Sequence, residues 1–162
     1  FMEEQKKFIC LHEELKELVS KLPEEKVLKP KITGEWSIKD IVSHLAAWNW
    51  EAIEEIDRVF RNNATWPKRY EHEKGENEFN RRGVEKRRNW TWQEVLRDWD
   101  NSFWAQIKKM ENISEDKWKY QSNDQKWSDG TPVTIFSLFA YEYEGKSHEG
   151  GHAKQLKDIL HI

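Results

Sequence analysis

Apolar side chains recur every three or four residues along four long stretches of this chain, and this spacing limits what it can fold into. Residues three and four positions apart lie on one face of an α-helix, so the pattern predicts helices that each bury one stripe. The clearest stripe consists of Ile38, Ile41, Leu45, Trp48, Ala52, Ile56 and Val59. Such helices need one another to cover their apolar faces, which favours a bundle.

Capping residues and helix breakers set the expected boundaries of the first two helices. The first is predicted over residues 2–22, because Pro23 cannot continue a helix. The second is predicted over residues 37–62. Ser37 and Asp40 resemble a capping box at its start, in which each side chain accepts a hydrogen bond from the other residue's backbone N–H.

Similar signals mark the other two helices. The third is predicted to begin at Thr91, which forms a second capping box with Glu94. The fourth is predicted to begin with Thr131 as its cap and Pro132 at its first position, an arrangement that helices favour, and to continue to Leu160 with a bend near Gly145 or Gly150-Gly151.

The polar stretch between helices two and three, residues 63–89, predicts a long irregular connection with a short helix near residues 78–86. Four amphipathic helices without an alternating strand pattern are typical of a four-helix bundle. A chain of 162 residues is long enough for one hydrophobic core. We therefore expect an all-α four-helix bundle that forms a single domain over residues 1–162.

Charge and composition argue against several classes of function. The 27 basic and 30 acidic residues are well mixed and give a formal net charge of −3, so no basic patch for nucleic acid is expected. The chain has no run of about 18 apolar residues that would predict a membrane span. Its single cysteine, Cys10, cannot form an internal disulfide and fits a reducing cytoplasm. These features favour a cytoplasmic protein without a nucleic-acid or membrane partner.

Two histidines one helical turn apart, His148 and His152, are the strongest sign of a functional site. Side chains at positions i and i+4 share a face, so both imidazoles can reach one metal ion. The pair belongs to the stripe of the predicted fourth helix, whose members are Leu138, Tyr141, Gly145, His148, His152, Leu156 and Ile159. Both rings are therefore expected to face the interior of the bundle, where metal sites are built.

A third histidine, His44, lies at the edge of the second helix's stripe and completes a site with His148 and His152 if the second and fourth helices are in contact. Three protein ligands with one open position are typical of catalytic zinc sites. Imidazole also suits nickel, iron and copper, so a divalent ion is predicted, with zinc and nickel the leading choices. Taken alone, His44 is better explained as a hydrogen-bonded core histidine.

The residues from His148 to His152 also spell His-Glu-x-x-His, the signature of zinc proteases, in which the glutamate is the general base. In one large group of these proteases a glycine turns the chain so that a third ligand can approach, and the corresponding positions here hold Gln155 and Asp158. A continuing helix points Asp158 about 120° away from His152, so we disfavour a protease. Glu149 is accordingly expected at most on the rim of the site, as a solvated or salt-bridged side chain.

Besides Glu149, two side chains are candidates for catalysis or for orienting a ligand. Tyr141 lies about two helical turns before His148, and Asp40 lies one turn before His44. A core tyrosine with a satisfied hydroxyl is an equal alternative for Tyr141. The remaining histidines, expected at the surface or the chain end, are His12, His72 and His161.

The chain contains ten tryptophans, which suggest a second class of function. In this class the protein is a non-catalytic bundle that binds an aromatic ligand and carries a structural metal or none. The candidates for lining such a pocket are Trp36, Trp48, Trp50, Trp90, Trp92, Trp99 and Trp104. Most tryptophans of this kind are core residues. Trp50 lies off the buried stripe of the second helix, which makes it the best candidate for a pocket or a dimer contact.

Two segments of the chain resemble a known family. The run from Gly34 to Trp48 begins helix two with Trp-Ser, continues with an Asp and reaches His44-Leu45. This order resembles the helix-two signature of the DinB/YfiT-like superfamily. The His148-x-x-x-His152 pair followed by Gln155 is similar to that superfamily's closing signature.

The resemblance implies a four-helix bundle with one metal ion held by three histidines, in which His44 matches the first ligand, His148 the second and His152 the third. It also implies relatives that are S-transferases or isomerases using low-molecular-weight thiols such as bacillithiol or mycothiol, often as homodimers. The start of helix two is further similar to the ClbS/DfsB branch, which includes a metal-independent self-protection hydrolase and often lacks the closing histidine pair.

Together these observations favour a metal-dependent thiol S-transferase or hydrolase that acts on a small electrophile. The partners expected are a small-molecule substrate, a low-molecular-weight thiol and a second copy of the chain. A metal bound in the site would deprotonate the thiol, whose sulfur would then attack the substrate. A ligand-binding or stress-related bundle and a metal-independent hydrolase stay open as alternatives.

Overall fold

The computed structural model describes residues 2–66, 68–70, 73–127, 130–139, 142–143 and 146–162. Helices dominate this part of the chain, and the expected all-α class is confirmed. The helices are α1 Met2–Ser20, α2 Glu24–Val27, α3 Ile38–Phe60, α4 Glu73–Lys86, α5 Trp92–Glu111, α6 Ile135–Phe139 and α7 His148–Leu160, with a 3-10 turn at Glu115–Lys117. The strands are β1 Gln121–Lys126, β2 Pro132–Thr134, β3 Glu142–Tyr143 and β4 Lys146–Ser147.

Both predicted capping boxes are present and explain where α3 and α5 begin. Ser37 Oγ accepts from Asp40 N at 3.1 Å, and Asp40 Oδ2 accepts from Ser37 N at 3.0 Å. Thr91 Oγ1 and Glu94 Oε2 make the same exchange at 3.1 and 2.8 Å. Backbone N–H groups that a helix leaves without partners are satisfied in this way, so these two helix starts are set locally.

The long helices α1, α3, α5 and α7 form the bundle. Helix α3 packs along α5, α1 packs against α7, and α3 also contacts α7. Buried residues of α1, α3, α5 and α7 fill the core at one end, with Trp99 fully buried among them. At the other end, α3 and α5 pack against the β1–β2 hairpin and α6 through residues such as Ile56, Phe103 and Val133. The contact between α3 and α7 is the one on which the three-histidine prediction depends.

The predicted short helix in the connection is present as α4, which packs on α3. Its Gly83 faces α3 so closely that an added Cβ would lie 2.7 Å from the Cβ of Ala47. Just after α4, the buried Arg87 donates to Gly83 O at 2.9 Å and to Asp98 Oδ2 on α5 at 2.8 Å. These contacts hold α4 against both α3 and α5.

The prediction of a single, bent fourth helix from Thr131 to Leu160 is wrong. Pro132 lies in β2, which pairs antiparallel with β1, and the turn between them uses Gly130 at a φ of +86°. The helix that follows, α6, begins after Thr134, which exchanges hydrogen bonds with Ser137. Threonine followed by proline suits a strand beside a turn as well as a helix start, and pairing with β1 decides between them.

A second antiparallel pair, β3–β4, separates α6 from α7. The stripe drawn from Leu138 through Tyr141 and Gly145 to His148 therefore does not lie on one helix; residues 140–141 and 144–145 lie outside the described part. The i, i+4 relation of His148 and His152 is unaffected, because both lie within α7. In the part of the chain that the structure describes, no helix combines the length and apolar character needed to cross a membrane.

Candidate metal centre and its cavity

Three histidine rings meet where α3 and α7 are in contact. Nε2 of His44 lies 2.9 Å from Nε2 of His148. The ring centroids are 4.9 Å apart for His44 and His148, 5.3 Å for His44 and His152, and 5.0 Å for His148 and His152. One ring nitrogen of each residue lies within 4.8 Å of the other two. The structure thus brings together all three histidines that the sequence analysis selected; that they bind a metal ion stays a prediction.

The spacing of these nitrogens fits a metal ion with imidazole ligands. A tetrahedral zinc ion with Zn–N bonds of about 2.0–2.1 Å holds its ligand nitrogens roughly 3.3 Å apart. The His44–His148 separation of 2.9 Å is slightly below that value and the other two pairs lie within 4.8 Å, so small side-chain movements suffice to reach it. Nδ1 of His44 is buried and makes no hydrogen bond with the described residues that meets the distance and angle limits of such a bond.

Gln155 orients the ring of His152. Nδ1 of His152 lies 2.9 Å from Gln155 Oε1, and Gln155 Nε2 in turn donates to Thr33 Oγ1 at 3.1 Å. Because an amide oxygen only accepts, Nδ1 of His152 carries the proton and donates it. Its Nε2 is then the acceptor nitrogen, which is the arrangement that hydrogen bonds to metal-binding histidines commonly enforce.

Burial keeps two of the rings neutral. It lowers the pKa of His44 to about 3, and the neighbouring His152 adds to this effect. Burial, together with His44 and His152, also holds the pKa of His148 well below its usual value. Neutral imidazole is the form that binds a metal ion, so at neutral pH neither ring has to lose a proton first.

A cavity of about 490 Å³ opens onto the three histidines. Its wall is largely aromatic and includes Trp36, Trp48, Trp66, Tyr70, Trp127 and Phe139. A cavity of this volume is within the usual range for small-molecule sites. His148 is only partly buried there, so a molecule in the cavity has access to the histidines.

The prediction of an aromatic pocket is correct for Trp36 and Trp48 and wrong for the other tryptophans named with them. Trp99 is instead a fully buried core residue, and Trp50 is 37% exposed and donates to Asp98 Oδ1 at 3.1 Å. Trp66, Tyr70 and Trp127 were missed because they lie outside regular helices, where no periodic pattern marks a buried side chain. The available signal was the presence of aromatic residues in the polar segments between helices.

Glu149 is buried, and the expectation of a solvated side chain at the rim of the site is wrong. Its Oε1 accepts from Trp99 Nε1 at 2.8 Å and from Asn49 Nδ2 at 3.3 Å. Its Oε2 lies 2.7 Å from His12 Nδ1, so the salt-bridged alternative holds. The residue also lines the cavity. Because Glu149 is the next residue after His148 on α7, its side chain points to a different side of that helix. The bundle also packs on this side, so Glu149 faces α1 and α5.

His12 is fully buried rather than at the surface. Its Nδ1 faces Glu149, its Nε2 lies 2.9 Å from Asp100 Oδ1, and its ring stacks on Phe103. Burial lowers the pKa of His12, but the hydrogen bonds and charges of Glu149 and Asp100 outweigh burial and raise it. With a carboxylate at each nitrogen, both nitrogens donate and the ring is an imidazolium. His12 lies four residues after Phe8, a spacing that continues the apolar stripe of α1 and could have revealed its burial.

The other candidates have varied outcomes. The carboxylate of Asp40 caps α3 through Ser37, and within the described residues it makes no hydrogen bond with His44. Tyr141 and His72 lie outside the described residues, and His161 is exposed as expected.

The chain matches a known protein family. The profile of the DinB superfamily matches residues 11–142, a span that includes His44 and ends before His148 and His152. No curated protein and no solved structure matches the chain.

Proposed function

The chain belongs to the DinB superfamily, and on this premise we propose that it is a metal-dependent enzyme whose His44, His148 and His152 hold one divalent ion, zinc or nickel. Family membership and the group of three histidines are both compatible with a metal-binding protein. The observation that carries the proposal is the meeting of three mostly buried imidazoles at the inner end of a cavity large enough for a substrate.

The number of ligands favours catalysis over a structural role. Structural zinc sites are closed by four protein ligands, whereas catalytic sites use three and leave a position open. Among the described residues, the group around His44 contains three ligand-forming side chains. A bound divalent ion would supply an acidic coordination position, where water reaches a pKa of about 7 and a thiol loses its proton.

The chain's own residues hold the ligands and shape the site. Gln155 sets the tautomer of His152, and burial keeps His44 and His148 unprotonated. The aromatic wall excludes water from a substrate beside the histidines, which strengthens electrostatic interactions there. We propose that the reaction is transfer of a low-molecular-weight thiol to a small electrophile, or hydrolysis of that electrophile, in a protein that forms homodimers.

Metal content tests the first step. Wild type, His148→Ala and His161→Ala are purified without a nickel column and measured by inductively coupled plasma mass spectrometry. We expect about one ion per chain in wild type and in His161→Ala, whose exposed histidine is not part of the three-histidine group, and loss of the ion in His148→Ala. A folded wild type that takes up neither zinc nor nickel contradicts the proposal.

Turnover tests the second step. The metal-loaded protein is mixed with cysteine and 1-chloro-2,4-dinitrobenzene, for which a carbon–sulfur bond forms as chloride leaves and the thiol proton passes to solvent. Acceleration by wild type but not by His148→Ala supports the transferase. If the protein binds 1-chloro-2,4-dinitrobenzene but turns over neither this compound nor ester substrates, the result supports the non-catalytic bundle.

A metal-independent hydrolase is the second candidate, and the burial of Glu149 favours it. This carboxylate lines the cavity and is held by Trp99 and His12, so it is fixed in position as a general base would be. Ester hydrolysis that persists in EDTA and is lost in Glu149→Gln would support this candidate against the metal enzyme.

A further inference from the structure

The cavity extends from one part of the bundle core into the other. Leu45 and Ala153, each next to a histidine of the site in the chain, belong to the core cluster of α1, α3, α5 and α7. Of the described apolar residues that line the cavity, all but Trp36 belong to or pack against the other cluster, where α3 and α5 meet α6 and the β1–β2 hairpin. The cavity therefore begins at the histidines and continues into an apolar part of the core.

The polar side chains of the wall are concentrated near the histidines. Asn49 Nδ2 donates to Glu149 Oε1 at 3.3 Å, and Glu149 directly follows His148. Asn80 Oδ1 on α4 accepts from Trp48 Nε1 at 2.7 Å. The other polar residues described in the wall are Glu76, which is exposed, and Gln106, which is half-buried. The histidine end of the cavity thus suits a polar group.

Helices α3 and α5 run in the same direction, which places the apolar part of the cavity. Asn49 Nδ2 on α3 donates to Ser102 Oγ on α5 at 3.1 Å, and Asp57 farther along α3 pairs with Lys109 farther along α5. The stretch from Phe103 to Met110 therefore extends beyond the level of Asn49, away from the histidines. At a rise of about 1.5 Å per residue, this stretch is about 10 Å long.

Buried apolar side chains line this stretch. Phe103, Ile107 and Met110 recur every three or four residues on one face of α5, and all three line the cavity. Ala52 of α3 and Leu138 of α6 also line it, and among the described lining residues Ala52 has the smallest side chain. Covering such a wall with an apolar group is favourable, because its surface is removed from water.

We propose that the substrate of the enzyme proposed above is amphipathic, with a polar reacting group at the three histidines and an apolar group about 10 Å long beside α5 from Phe103 to Met110. This inference rests on the proposed function for the reaction at the histidines. The placement of the apolar group rests on the cavity wall alone.

Probes of increasing chain length test the apolar group. Acetohydroxamate, butyrohydroxamate, hexanohydroxamate and octanohydroxamate share one metal-chelating head and differ in their number of methylene groups. Their affinity for zinc-loaded wild type is measured by isothermal titration calorimetry. Burial of one methylene tightens binding about three- to fourfold, so we expect octanohydroxamate to bind at least about 30-fold more tightly than acetohydroxamate. A smaller gain means that the chain stays in water and overturns the inference.

Matched variants test where the chain lies. Ala52→Leu narrows the apolar part of the cavity, and Ala105→Leu makes the same change at an alanine of α5 that is not among the described lining residues. We expect octanohydroxamate to bind about tenfold or more weakly to Ala52→Leu and as in wild type to Ala105→Leu, with circular dichroism showing that both are folded. If Ala52→Leu does not fold, Ile107→Thr replaces it, because a hydroxyl in the apolar wall weakens the same contact. Equal affinity for the cavity variant and the control overturns the placement.

The orientation has its own test. His148→Ala should weaken binding of all four hydroxamates by a similar factor, because they share the head that lies at the histidines. The gain per methylene should stay as in wild type. A loss confined to the longest chains would place the chain at the histidines instead and overturn the orientation.

The two proposals fail separately, and butanamide and octanamide in EDTA distinguish them. If wild type binds no metal but binds octanamide about tenfold or more tightly than butanamide, the enzyme proposal falls and the apolar site stands. If wild type binds metal through His148 but chain length has no effect on affinity, the inference about the substrate falls and the metal centre stands.

Discussion

Glu149 Oε2 and His12 Nδ1 lie 2.7 Å apart in the interior of the bundle, where they join the start of α7 to α1. Glu149 directly follows His148, so the pair also fixes the backbone that carries one of the proposed ligands. Asp100 on α5 contacts the other nitrogen of His12 and pairs with Lys16 at 3.1 Å. Helices α1, α5 and α7 are therefore tied together by one buried imidazolium between two carboxylates.

Removing His12 should destabilise the protein strongly. In His12→Ala the carboxylate of Glu149 stays buried without its ion-pair partner, which typically costs about 3 kcal/mol or more. Urea unfolding followed by circular dichroism measures the loss. His161→Ala, at an exposed histidine, is the control and should change the unfolding free energy by less than about 0.5 kcal/mol. A similar stability for the two variants would show that the buried pair contributes little.

The His12 contribution should also depend on pH in a defined direction. Its pKa is raised by folding, so its stabilisation is complete below about 6.5, the ordinary value, and is lost as the pH rises through the folded-state pKa. The stability difference between wild type and His12→Ala should therefore shrink from pH 6 to pH 9. Chemical unfolding at four pH values measures it, and a difference that grows with pH would contradict the imidazolium assignment.

The histidines of the candidate metal centre should produce the opposite dependence. Folding lowers the pKa of His44 to about 3, so below pH 6.5 the unfolded chain binds a proton that the folded chain does not. The metal-free protein should lose about 1.4 kcal/mol per pH unit below 6.5 from His44 alone. In EDTA, His44→Gln should show a shallower decline than wild type, and parallel curves would argue against a buried neutral His44.

Gln155 should control metal affinity without touching the metal. Gln155→Leu removes the acceptor that fixes the ring of His152, and losing such a partner typically weakens binding by about 10- to 100-fold. Zinc affinity is measured by competition with a fluorescent chelator. Lys154→Gln, an exposed neighbour on α7, is the matched control and should bind as wild type does. An unchanged affinity in Gln155→Leu would remove the orienting role.

Gly83 should tolerate no side chain unless α3 makes room for it. Gly83→Ala places a methyl group 2.7 Å from Ala47 Cβ, an overlap that requires the two helices to separate. We expect a loss of about 1–3 kcal/mol, the usual cost of overpacking. The double variant Ala47→Gly/Gly83→Ala should recover much of the loss on thermal or urea unfolding. Ala47→Gly alone is the control, because glycine costs about 1 kcal/mol in a helix. A double variant no more stable than the sum of the two single losses predicts would mean that the overlap with Ala47 does not set the cost.

The residues that could be assigned from the sequence are those with strong local signals. The starts of α3 and α5 follow from hydrogen bonds within four residues, and the periodic stripes set the buried faces of these helices. The pairing of His148 with His152 is equally local, because one helical turn separates them. None of these features depends on which elements pack together.

The region from Thr131 to Ser147 shows where local signals are insufficient. Thr131-Pro132 fits both a helix start and a strand after a turn, and the hydrogen-bonded pairing with β1 selects the strand. The cavity wall is similar, since Trp66 and Trp127 face it only because the chain folds back over α3. The residues that make such contacts lie far apart in sequence. No single segment therefore indicates the free energy that the contacts contribute.

By itself, the sequence determined the helical class, the starts of the two best helices and the histidine pair of α7, because hydrogen bonds and side-chain spacing within one or two turns are sufficient for each. Only the tertiary structure decided that His44 joins that pair and that His12 and Glu149 are buried together. Burial and charge pairing depend on which helix faces meet, and only the packing of α1, α3, α5 and α7 against one another sets this.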